Sequence, residues 1–154
     1  NLLALTPETD RNNSRNVKIV KVYKSFAMKK EILKKLYGEN SSYFKMLNKQ
    51  DPGLRKTLLV VTHTKDEKGP INKRIHVQGI FKPDLNTPYY RSNVKVSCTC
   101  ERFKYTWEYA LSKKGAATIH WSNGEPSHEK NPNNIPGVCK HLFLDLMYIR
   151  KLNL

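Results

Sequence analysis

The spacing of apolar and polar residues changes period several times along the chain, and each change predicts an element. Val17-Lys18-Ile19-Val20-Lys21-Val22-Tyr23 is β-branched and aromatic, which predicts a strand over 17–23. Ser25 follows in an N-cap position and Gly38 in a stop position. Between them Phe26, Leu33, Leu36 and Tyr37 recur at helical spacing, predicting a helix over 25–37. That stripe leaves Lys29, Lys30, Lys34 and Lys35 mostly on the outer face. A short second helix is predicted from Ser42 to Lys49, ended by Asp51-Pro52-Gly53. Residues 57–64 and 74–81 read as strands joined by a turn at Asp66-Glu67-Lys68-Gly69-Pro70, with His63 and His76 as sheet-surface residues within them. A further strand over 91–98 follows the Pro83 to Pro88 loop.

Beyond that strand the pattern is less decisive. Phe103, Tyr105, Trp107 and Tyr109 alternate as on a strand, whereas Phe103, Trp107 and Leu111 fall at helical spacing, so both readings stay open. Such an aromatic row either packs in a core or stacks on bases. Residues 115–134 are rich in Gly, Pro, Asn and Ser and read as a long excursion, a kind of loop that is usually functional or tied down. The stretch 140–152 is helical, with Leu142, Phe143, Leu146, Met147, Ile149 and Leu152 covering more than one stripe. At the other end, Leu2, Leu3 and Leu5 give way to a polar, breaker-rich run. This predicts an extended N-terminal arm over 1–16 whose tip packs on its own domain or on a partner. Short turns between strand signals favour antiparallel pairing over crossover units. The expected fold is one α+β domain over 17–154, a mainly antiparallel sheet with a few helices.

All three cysteines fall in two short motifs, Cys98-Thr99-Cys100 and Cys139-Lys140-His141. C-x-C followed by C-x-H is a four-ligand zinc pattern, since zinc in structural sites takes thiolate and imidazole in a closed tetrahedron. The first pair suits a strand end, where residues two apart share a face. The second does not suit a helix interior, where residues two apart diverge. Cys139 therefore belongs in the turn made by Pro136-Gly137, with His141 in the first helical turn after it, so that the metal staples the C-terminal helix to the sheet. His120 and His128 are the other candidates for the fourth ligand. Buried thiols, or a disulfide from Cys139 to Cys98 or Cys100, are the alternatives to a metal site.

With an aromatic shortly after the first pair and an apolar helix after the second, the region from Val94 to Leu152 resembles the SWIM-type zinc finger. The resemblance implies zinc held by Cys98, Cys100, Cys139 and His141. The insert from Glu101 to Val138 is longer than is usual in that family. The fuller string, from Phe103, Tyr105 and Tyr109-Ala110-Leu111 to Asn131-Pro132 and Pro136 through Leu142, looks like a long-insert variant met in structural proteins of tailed bacteriophages. It implies a virion component whose partners are other structural proteins of an assembly present in multiple copies. SWIM domains in general imply DNA or protein binding, with a cytoplasmic location as the alternative.

Charge bears on the same choice. Lys and Arg number 28 against 13 acids, a net charge of +15, which fits a polyanionic neighbour such as nucleic acid. The excess is spread over both halves rather than gathered, and Lys29, Lys30, Lys34 and Lys35 form the best candidate phosphate-contacting patch. No apolar run is long enough for a membrane span, and the start lacks a secretory-signal pattern. The chain opens on Asn1 rather than Met, as expected of a processed chain or a piece of a longer one. Cysteines in metal spacing fit a reducing site of synthesis. A four-ligand closed site has no open position for water, and the deaminase, G-x-S-x-G, H-E-x-x-H and phosphate-loop patterns are missing, so no enzyme is expected.

Overall fold

The computed structural model describes residues 2–65, 74–125, 127 and 130–154. Four strands, β1 (Val17–Tyr23), β2 (Thr57–Thr64), β3 (Ile75–Phe81) and β4 (Lys95–Cys98), pair antiparallel in the order β1-β2-β3-β4. Six α-helices lie among the described residues: α1 (Leu2–Leu5), α2 (Glu8–Asn13), α3 (Phe26–Tyr37), α4 (Ser42–Gln50), α5 (Glu108–Lys113) and α6 (Lys140–Leu152). None is long and apolar enough to cross a membrane. The expected α+β class with an antiparallel sheet is what the chain adopts, and the turn expected at 66–70 lies outside the described residues.

The period of two along β2 builds the domain. Leu58 and Val60 face one cluster, with Ile80, Val96, Leu142 and Ile149, while Leu59 and Val61 face another, with Val77, Leu33, Tyr43 and Leu47. The sheet is thereby a middle layer, with α6 on one side and α3 and α4 on the other. Gly79 lets α4 lie close: a Cβ there would stand 3.0 Å from Ser97 Oγ and 3.2 Å from Leu47 Cδ2. Beside it, Tyr43 and Ser97 share a hydrogen bond of 2.6 Å. The β1 edge is broken by an irregularity between Ile19 and Lys21 that leaves Val20 58% exposed, and the exposed Lys18 and Lys21 guard it against edge-to-edge pairing.

Three expectations change, and one choice left open is settled. Regular pairing of the last strand starts at Lys95 rather than Arg91, because Lys95 already faces Phe81, the last residue of β3, and residues 91–94 lie beyond the end of that strand. The aromatic row is helical: a π-helical turn over Phe103–Trp107 runs into α5 and buries Phe103, Trp107 and Leu111, leaving Tyr105 64% exposed. Residues 2–16 form α1, α2 and a 3₁₀ turn instead of an extended arm. Thr6 Oγ1 donates to Leu2 O, Arg11 donates to the carbonyls of Thr6 and Ala4, and the buried Asp10 accepts two hydrogen bonds from Arg102 at 2.8 and 2.9 Å. Leu2 packs against the core, whereas Leu5 stays exposed.

The last change removes a residue from the lysine patch. Ser25 caps α3 as expected, accepting from Met28 N, but Lys29 faces inward with 2% exposure while Phe26 lies at the surface. The Lys29 Nζ donates to the carbonyls of Leu54 (2.7 Å) and Thr57 (2.6 Å), which close the turn leading into β2. Burial lowers its pKa, against the opposing pull of Asp51. Lys29→Ala is expected to destabilise the fold by about 2–4 kcal/mol in urea unfolding, since it strands two buried carbonyls, while leaving affinity for duplex DNA unchanged. A loss of DNA affinity with unchanged stability would return Lys29 to the patch.

Candidate metal centre

Cys98 ends β4, where Gln78 of β3 faces it, and Cys100 follows in the bend before the 101–113 helical segment. The intervening Thr99 fixes that bend, donating its N–H to Val77 O (3.1 Å) and accepting the Val77 N–H at Oγ1 (3.0 Å). The two sulfurs converge because β4 stops between them, which differs from two positions on one continuous strand face. Backbone amides support both: Cys100 N–H points at Cys98 Sγ (3.5 Å) and Phe103 N–H at Cys100 Sγ (3.4 Å).

Cys139 is the N-cap residue of α6, and His141 lies in its first turn, as the spacing predicts. The approach to Cys139 runs past Gly137, where a Cβ would stand 3.0 Å from the Trp107 ring and would press that indole aside.

Cys98, Cys100, Cys139 and His141 are all buried, and their donor atoms lie within 4.8 Å of one another. All three cysteines are free thiols, so the disulfide alternative is not adopted. A tetrahedral ion with bonds of about 2.0–2.3 Å separates its ligands by about 3.5–3.8 Å, inside the 4.8 Å within which these donor atoms all lie. His141 supplies the independent check. Its Nε2 lies 2.7 Å from Thr64 Oγ1, while Nδ1 is buried without a hydrogen-bond partner. In the tautomer whose Nε2–H donates to Thr64, the Nδ1 lone pair is left for an ion, the usual arrangement of a ligating histidine held by a hydrogen bond from its other nitrogen. The residues present therefore fit a metal ion.

Electrostatics points the same way. Burial pushes the Cys98 and Cys139 thiols well above their ordinary value, whereas hydrogen bonds from Cys139 and Cys98 hold Cys100 well below. Three sulfurs share one pocket in which only one thiolate is comfortable by itself. A divalent cation reverses that balance for all of them, because metal-bound thiols are deprotonated outright.

The other histidines do not join this group. His120 packs edge-on to Trp121 and Tyr43 with Nε2 3.4 Å from Ser42 Oγ, and His128 lies outside the described residues. His76 is half-buried, its ring 4.6 Å from that of His141, so it forms a wall of the site. His63 is half-buried on β2 outside the metal group. Of the lysine patch, Lys30 and Lys35 are exposed, Lys34 pairs at the surface with Glu39 (2.8 Å), and Lys29 is buried.

Several residues that organise the site carry no local sequence signal. Gln78 Nε2 bridges Thr62 Oγ1 (2.9 Å) and Cys98 Sγ (3.5 Å). Glu108, 1% exposed, accepts the N–H groups of His120, Trp121 and Ser122 on Oε1 at 2.9, 2.7 and 2.7 Å, and so ties the long insert to α5. Asn131 holds the return of the insert through Thr106 O, Ile135 O and Ile135 N. Asp145, one turn beyond His141, is buried with both oxygens unpartnered, and burial pushes its carboxyl well up, towards the neutral form. Comparison of the chain with protein-family models, with curated proteins and with solved structures finds no match.

Proposed function

We propose that the chain is a non-catalytic zinc-binding module of the SWIM type with a long insert, acting as a structural component of a larger assembly such as a tailed-phage virion. The observation that carries this reading is the buried set of three thiols and one imidazole nitrogen. Soft sulfur donors with one imidazole suit zinc. Four protein ligands complete its tetrahedron, which leaves no position for an activated water or a substrate. The metal's part is then to hold the β4 end against the start of α6 as the core forms. Protein contacts fall to the exposed apolar residues left over, among them Leu5, Met147 and Leu152.

Nucleic-acid binding is the competing reading. The burial of Lys29 and the Lys34–Glu39 pair take away from the lysine patch, which leaves the +15 charge as a diffuse attraction to a polyanionic neighbour. Elemental analysis is expected to give one zinc per chain. Titration with duplex DNA is expected to give weak binding that disappears between about 50 and 200 mM salt. Tight DNA binding that survives the higher salt, by a lone monomer, would replace the assembly reading with the nucleic-acid one.

A further inference from the structure

We propose that the groove between α1, the 89–94 segment and the C-terminal half of α6 is the docking site for an acidic, leucine-rich segment of a partner protein. This rests on the assembly reading and names the chemistry of the partner. The groove is open to solvent and offers about 780 Å³, and the partly buried Leu2 and Leu146 contribute to its lining above the core residue Ile149. Arg91, Lys114 and Arg150 also line it, and no acidic residue does. All three cations are exposed, and none forms an ion pair with a carboxylate among the described residues.

Three occupants are conceivable, and charge and shape separate them. A second copy of this chain is disfavoured, because two surfaces of net charge +15 repel and the chain has only 13 acids to offer. A single-stranded nucleic acid needs open aromatic faces for stacking. Here the Arg91 guanidinium lies 5.2 Å over the Tyr90 ring and the Lys82 Nζ 4.4 Å over Tyr89, so the chain's own cations already cover a face of each groove tyrosine. What remains is the partly exposed Leu2 and Leu146 beside three cations that have no carboxylate partner among the described residues. That combination accepts leucine-type side chains below and carboxylates above, as in a peptide where the two alternate.

The test is fluorescence anisotropy of the metal-loaded full chain with three labelled probes: a peptide alternating glutamate and leucine, its lysine–leucine counterpart, and oligothymidine. The glutamate peptide is expected to bind and the lysine peptide not to bind. The variant R91E/K114E/R150E is expected to lose at least about tenfold in affinity for the glutamate peptide. Since all three positions are at the surface, its circular dichroism and zinc content should match the parent. Failure of the parent to bind the glutamate peptide, or equal binding by the variant, overturns the groove proposal while one zinc per chain and weak DNA binding still stand for the assembly reading. Oligothymidine binding that the variant loses, with no peptide binding, makes the groove a nucleic-acid site instead.

Discussion

Stripping the metal with a strong chelator is expected to unfold the C-terminal half of the domain, from β4 through α6, and Cys139→Ser is expected to do the same without a chelator. Structural zinc contributes about 10–16 kcal/mol of apparent binding free energy at neutral pH in small zinc-dependent folds. A domain's whole stability is about 5–15 kcal/mol, so losing even part of this term outweighs any single contact. The groups an ion would hold are three buried sulfurs, two of them with thiols pushed upward by burial, and the buried His141 Nδ1, which has no hydrogen-bond partner of its own. Amide exchange should show protection lost first around Cys98, Cys100 and the first turn of α6, with the layer of α3 and α4 retained longest, since its cluster of Leu33, Tyr43, Leu47 and Leu54 lies across the sheet. Thr64→Val should weaken metal binding about 10–100-fold while the stoichiometry stays at one, as expected for a residue that orients a ligand without being one. Unchanged circular dichroism and exchange after complete metal removal would sink the stapling role.

Glu108→Ala is expected to cost about 3–5 kcal/mol, more than most single substitutions, by leaving three N–H groups of the insert without an acceptor. Those three amides are consecutive, so one oxygen holds the loop where it turns against Tyr43 and Lys104, which flank Trp121 by ring stacking at 5.7 Å and by a cation–π contact at 4.2 Å. Glu108→Gln keeps a carbonyl oxygen in the same place and should retain most of the stability, whereas a merely space-filling role would be rescued as well by Leu. Urea unfolding of the three variants, with exchange read at residues 118–122, separates these outcomes. If alanine and glutamine behave alike, the oxygen is not what holds the insert.

The two predictions differ in how visible their residues are in the sequence. The candidate metal ligands announce themselves, because C-x-C and C-x-H are local spacings whose chemistry needs little else, and the Pro136-Gly137 turn before Cys139 fits them to a helix start. Glu108 looks like any helix-surface acid, and only the return of a chain segment more than ten residues away gives it donors.

The same division runs through the fold. β-branched and apolar runs place β1 and β2 at their observed spans, since such side chains suit a pleated, buried surface, and Ser25 and Gly38 bound α3 because caps act on the nearest turn. Tertiary structure decided the rest. Lys29 reads as outward from the stripe of α3, but the turn from Leu54 to Thr57 offers it two carbonyls, and a long amphipathic side chain follows its acceptors inward. The arm becomes helical because Asp10 finds Arg102 and Leu2 finds the core, neither of which is near in sequence. The aromatic row, equally good for a strand or a helix, settles as helix where Phe103, Trp107 and Leu111 all reach one core. Local spacing thus determined the strands, the caps and the metal donors, whereas burial of single polar groups was decided by which distant backbone atoms came within hydrogen-bonding reach.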